Sequence, residues 1–171
     1  MQQLRRALED YLYDLDSALD LPMEAAHALT RGLDSRALAE LAGQPRDAAY
    51  EVRELVPSVI EELALDLAPL PEAVFTRARE TASAYLSGSL RFPLAAMRLT
   101  QLLLDEEYLS FDNRPEAAYP ECEHLWLLNE WLEAVSLGYS DTSGYLFESS
   151  EAAERYFGGL ARAITDDNAN R

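Results

Sequence analysis

Apolar positions along the chain recur at three- and four-residue steps, and no stretch shows sustained two-residue alternation, so helices are predicted and strands are not. Leu4, Leu8, Tyr11, Leu12, Leu15 and Leu19 form one stripe and predict a first helix from about Gln3 to Leu19, with Arg5, Glu9, Asp10, Asp14 and Asp16 on its wet side. Asp20-Leu21-Pro22 starts a short second helix that Gly32 stops. Asp34 or Ser35 caps a third, which ends at Gly43. From Asp47 a stripe of Tyr50, Val52, Leu55, Val56, Val59, Ile60, Leu63 and Leu67 crosses Pro57, which removes a backbone donor and predicts a kink or break near Val56.

Pro69 and Pro71 punctuate the chain, and Pro71 opens a helix through Val74, Phe75, Ala78, Ala82 and Tyr85 to Leu86, with Ser87-Gly88 as its stop. Pro93 begins the most apolar segment, in which only Arg98, Thr100 and Gln101 interrupt the run to Leu104; a helix apolar on most sides is expected at the centre. Ser110 to Ala118 reads as a loop. Pro120 then starts a helix with the stripe His124, Leu125, Leu128, Trp131, Leu132 and Val135, closing at Gly138. Tyr139 to Phe147 is a second long loop, and a last helix runs from about Ser150 to Ile164, weakened by Gly158-Gly159. The sum is an all-α fold, an irregular single-domain bundle of six to eight helices of unequal length over residues 1–165, with a disordered polar tail at 166–171. The stretch Pro69 to Pro71 is the one candidate hinge.

Composition narrows the function classes. With 171 residues, 49% of them hydrophobic, the chain is long enough to bury a core without a metal or a disulfide. Its single cysteine, Cys122, forms no internal disulfide and excludes a multi-cysteine zinc site. Glu9, Asp10, Asp14 and Asp16 interrupt the apolar core that a signal peptide needs, and the expected location is the cytoplasm. All 14 basic residues are arginine, a bias of GC-rich bacterial genomes, and they face 31 acids for a formal charge of −17. A field of that sign repels phosphate backbones and anionic membranes and draws in basic proteins.

The charge is concentrated. Thirteen acids lie between Asp105 and Glu154 against the single Arg114, so this stretch carries −12 of the total. Extended to Phe157, it also holds ten of the sixteen aromatic residues. Aromatic anchors ringed by carboxylates fit a docking face for a cationic surface. Its candidate residues are Asp105, Glu106, Glu107, Tyr108, Asp112, Glu116, Trp126, Glu130, Glu133, Tyr139, Asp141 and Tyr145. Trp131 lies on the apolar stripe and belongs to the core, whereas Trp126 sits off its centre beside Glu123 and Glu130, compatible with exposure or burial.

Catalytic signatures are missing. There is no Gly-x-Ser-x-Gly elbow or Gly-x-Gly-x-x-Gly loop, and a phosphate loop that needs lysine cannot form. Cys122 stands between Glu121 and Glu123, which raise a thiol pKa. One pattern competes: both histidines follow a glutamate by three residues, Glu24 to His27 and Glu121 to His124, and paired Glu-x-x-His motifs on helices ligate di-iron or di-manganese centres. Against it, the helix bearing His27 is short, and inward-facing bridging glutamates are not evident; His124 reads as a core histidine and His27 as a surface one.

The expectation is therefore a non-enzymatic acidic module, with no cofactor, that binds a basic protein partner, for example as an immunity protein or inhibitor of a cationic nuclease toxin. A di-metal enzyme using Glu24, His27, Glu121 and His124 is the alternative. A regulatory or scaffold domain binding a small apolar ligand is the second alternative, and its sign would be a cavity that no side chain fills. Direct nucleic-acid and membrane binding are disfavoured, and oligomeric state is open.

Overall fold

Leu4, Ala7 and Leu8 follow helical spacing and are buried on one side of α1 (Gln2–Leu12), the first element of a computed structural model that describes residues 1–16, 18–105, 107–109, 113–139 and 144–166. All regular structure among these residues is helical, as the periodicity predicts, with eight helices of seven or more residues. The chain divides into two compact units, Met1–Pro69 and Leu70–Arg171, with the boundary at the proline-marked stretch.

In the first unit α2 (Leu21–Thr30) packs on α1 and on α3 (Arg36–Ala42), and α3 packs on α4 (Ala49–Glu62). Leu4, Leu8, Leu38, Leu41, Val56 and Val59 lie at the centre of its core. Side chains satisfy the free N–H groups at helix starts: Asp20 Oδ1 accepts from Met23 N–H at 3.1 Å, and Ser35 Oγ from Leu38 N–H at 3.0 Å. Glu62 at the end of α4 accepts from Ala37 N–H at 3.0 Å, a bond that holds its carboxyl below the usual range with help from the Ser35 hydroxyl. Glu9 and Asp10, expected on the wet side, are buried. Glu9 Oε1 accepts from Ala68 N–H at 3.0 Å and lies 3.6 Å from Arg5 Nε; Asp10 lies 3.6 Å from Arg6 Nε. These charges go inside because each has a cation or a backbone donor to meet. Tyr13 adds a bond from its hydroxyl to the Ala68 carbonyl at 2.8 Å, so the end of the unit is tied back to its start.

In the second unit α5 (Leu70–Leu86) packs on α6 (Phe92–Leu104) and on α9 (Ser150–Asp166), and α6 packs on α8 (Leu125–Ser136). A one-turn helix α7 (Pro115–Ala118) lies where a loop was expected, and a 3-10 turn over Pro120–His124 replaces the predicted start of the helix that becomes α8. A run of rings crosses four helices: Tyr85 of α5 meets Phe157 of α9 with centroids 4.8 Å apart, Phe157 meets Phe92 of α6 at 5.6 Å, and Phe92 meets Trp131 of α8 at 6.5 Å. Continuous through Gly158-Gly159, α9 extends to Asp166, one residue into the expected tail; 167–171 lie outside the described residues.

Helix ends explain most departures from expectation. Among the described residues five helices end alike: the residue past the C-cap has positive φ, and the next N–H bonds the carbonyl five residues back. Gly32, Gly88 and Gly138 fill that position as expected. Asp14 (φ 53°) and Ala64 (φ 48°) fill it too, so α1 stops at Leu12 and not near Leu19, and α4 stops at Glu62; the closing bonds are Leu15 N–H to Asp10 O and Leu65 N–H to Ile60 O, both 2.9 Å. Pro57 does not break α4. Pro57 and Arg53, whose carbonyl loses its donor, are both exposed, so water can serve the carbonyl while buried Val52, Val56 and Val59 hold the other side. Tyr50, placed on that stripe by spacing, is exposed.

Two exchanges of the same residue pair in opposite directions should both stabilise the protein. A Cβ at Gly159 would meet nothing within 4 Å inside a helix, so Gly159→Ala is expected to add about 1 kcal/mol in urea unfolding. Ala64→Gly is expected to add about 0.5 kcal/mol, because the left-handed strain of an L-residue outweighs the extra freedom of unfolded glycine. A loss of stability in either variant contradicts these backbone assignments.

Candidate functional site

Burial of Leu125, Leu128, Trp131 and Ala134 sets the rotation of α8. The opposite side then carries Trp126, Glu130, Glu133 and Leu137 at steps of four, three and four residues, which is one face of a helix. All four are exposed, Trp126 by 53% and Leu137 by 76%. Tyr139, 62% exposed, follows directly. Farther along, Phe147 is buried and stacks on Tyr156 of α9 with centroids 5.2 Å apart, while its neighbours Tyr145 and Leu146 stay exposed.

The other expected docking residues divide. Glu107 and Glu116 are exposed, the latter on α7. Asp105 and Tyr108 are half-buried, Asp105 because it leaves the end of α6 and its Oδ1 accepts from Glu107 N–H at 2.9 Å. Glu106, Asp112 and Asp141 lie outside the described residues. Of the ten rings in the acidic stretch, Tyr119, Trp131, Phe147 and Phe157 are core residues and not part of any face. Asp105 and Glu133 both line a cleft between α6 and α8.

That cleft is a feature the hydrophobic pattern did not reveal. Its volume is about 740 Å³, and Leu94, Met97 and Val135, all read as interior from the pattern, are exposed on its walls. The extra apolar width of α6 is therefore a lining and not a sign of central burial. Leu137 and Leu146 were likewise missed, although Leu137 follows Trp126 at a spacing that keeps one helix face.

Each Glu-x-x-His pair has local partners of its own. Glu24 and His27 touch at 3.4 Å on the outer side of α2, with Arg31 Nη2 at 3.9 Å from the same carboxylate. Contrary to the expected core position, His124 is half-exposed at the end of the 3-10 turn, and its Nε2 meets Glu123 at 3.0 Å and not Glu121. Glu121 contributes its carbonyl, which accepts from the Tyr156 hydroxyl at 2.7 Å. Among the described residues no group of three or more His, Cys, Asp or Glu could hold a metal ion.

Cys122 is buried in the same turn. Burial above all, then the charges of Glu116 and Glu121, pushes its thiol up to about 12. Burial and then neighbouring Cys122 also raise the Tyr156 phenol. Among the described residues no helix is long and apolar enough to cross a membrane. Comparison with protein-family models, curated proteins and solved structures found no match.

The state of Cys122 has a direct readout. In the native protein a disulfide reagent at mildly alkaline pH is expected to leave the thiol unmodified, with stoichiometric reaction once guanidinium unfolds the chain. Fast native-state labelling would contradict both the burial and the raised pKa.

Proposed function

We propose that the protein is a non-enzymatic docking module whose C-terminal unit covers a basic protein partner. The observation that carries the reading is the exposed stripe of α8, where Trp126 and Leu137 flank Glu130 and Glu133 within a stretch of charge −12. A large exposed ring gives up apolar surface on docking and is the residue type that most often dominates an interface. Carboxylates around it supply long-range attraction for a cationic surface and a penalty against acidic competitors. An immunity protein that neutralises a cationic nuclease toxin by covering it is one concrete form of this activity. A cytoplasmic site of action fits the same reading.

Capture from native cell extract tests it when the unmodified protein is paired with a Trp126→Ala/Glu130→Gln/Glu133→Gln variant. All three positions are exposed, so the variant should unfold at the same urea concentration as its parent. The expected result is an arginine- or lysine-rich protein that the parent retains and the variant binds at least about tenfold more weakly, with an association rate that falls as salt rises. Equal retention by the variant, or an association rate indifferent to salt, overturns the proposal.

A further inference from the structure

Leu94 and Met97 of α6 and Val135 of α8 line the cleft and stay exposed, Met97 by 57%. Water against such side chains is displaced favourably by an apolar body. The α6 wall is one helix face: Leu94, Met97, Arg98, Gln101 and Asp105 follow helical steps. At 1.5 Å per residue it runs for about 16 Å from Leu94 to Asp105. Leu132 and Val135 of α8 form the wall beside it. A trough of that length between two helices suits a third helix of about three turns, seated by an apolar face.

The charges around the trough decide the sign of its occupant. Asp105 Oδ1 accepts from the Glu107 N–H and Glu133 Oε1 from Asn129 Nδ2 at 3.2 Å, so both carboxylates hold neutral donors, and neither meets a cation among the described residues. Exposed acids extend the field: Glu130 one turn before Glu133, Glu107 after Asp105, and Glu151 after the lining residue Ser150. Against them stands exposed Arg98, the one cation among the lining residues. The α8 edge and the Asp105 end therefore attract positive charge, while the middle of the α6 wall repels it. A second copy of this chain would bring its own acidic surface and be disfavoured.

We propose that the cleft receives an amphipathic basic helix of the partner: apolar side chains on Leu94, Met97 and Val135, and lysine or arginine over Glu133 and Asp105. Beside Arg98 the helix carries a neutral or acidic residue. This inference rests on the docking reading, whose stripe shares Glu133 with the cleft, and adds the secondary structure and polarity of the segment that docks.

The probe is a synthetic leucine–lysine peptide of about 14 residues with its leucines along one helix face, titrated into the intact protein by calorimetry and circular dichroism. Saturable one-to-one binding with a gain of peptide helicity is expected. A peptide of the same composition with leucines spread around the helix, and one with glutamate for lysine, are each expected to bind at least about tenfold more weakly. Leu94→Ser/Met97→Ser, at exposed positions that should leave urea unfolding unchanged, is expected to weaken the basic peptide by a similar factor. Glu133→Gln should weaken it about threefold and Arg98→Gln tighten it about threefold, with no effect from Glu72→Gln, an exposed acid that does not line the cleft. The proposal is overturned if the spread-leucine peptide or dodecyltrimethylammonium, a small apolar cation, binds as tightly, or if the Leu94/Met97 pair can be changed without effect. A peptide released by Trp126→Ala and not by Leu94→Ser/Met97→Ser sits on the stripe, which overturns this inference and leaves the docking reading standing.

Discussion

The rings of Tyr85, Phe157, Phe92 and Trp131 join α5, α9, α6 and α8 into one packed series, and the orientation of the candidate docking stripe follows from it. Edge-on and tilted pairs of this kind add to the burial of large apolar surfaces. With Trp131 held inward, α8 has only one rotation available. Trp126, Glu130, Glu133 and Leu137 must then face water, and the flank of α8 that carries Leu132 and Val135 must meet the Leu94 and Met97 side of α6 across an unfilled space. One interior contact thus generates both the outward stripe and the cleft.

The N-terminal unit has a different logic. Its core is aliphatic, and its ends are fastened by charged side chains that serve backbone groups: Glu62 at the start of α3, and Glu9 at Ala68. Such carboxylates cannot be assigned to solvent by periodicity, because a backbone donor far along the chain decides whether burial is tolerable. Glu9, misjudged from the pattern of α1, is of this kind.

What was legible follows the strength of each local signal. Glycines and prolines marked the stops at Gly32, Gly43, Gly88 and Gly138 and the starts at Pro22, Pro71 and Pro93 to within two residues, because their backbone restrictions are intrinsic. Stops made by Asp14 and Ala64 carry no such mark, since tertiary packing imposes the left-handed conformation on residues that tolerate it at a cost. Pro57 was over-read for the opposite reason: on an exposed helix side solvent can stand in for its missing donor. In the candidate site, the identity of Trp131 as core and the helical repeat of Trp126, Glu130 and Glu133 were both readable. The cleft was not, because an apolar side chain that lines a cavity and one that fills a core have the same periodicity. Nor was the position of His124, which depends on a 3-10 turn that the hydrophobic pattern does not distinguish from an α-helical start.

The central claim is that an exposed ring and carboxylates share one outward face of α8, and the charge of a quencher tests it most directly. In the Trp131→Phe protein, caesium and iodide are added at matched ionic strength and the emission of Trp126 is followed. An exposed indole among carboxylates is expected to be quenched by both ions and more efficiently, relative to free indole, by the cation. Protection from both ions, or iodide matching caesium on that scale, would contradict it.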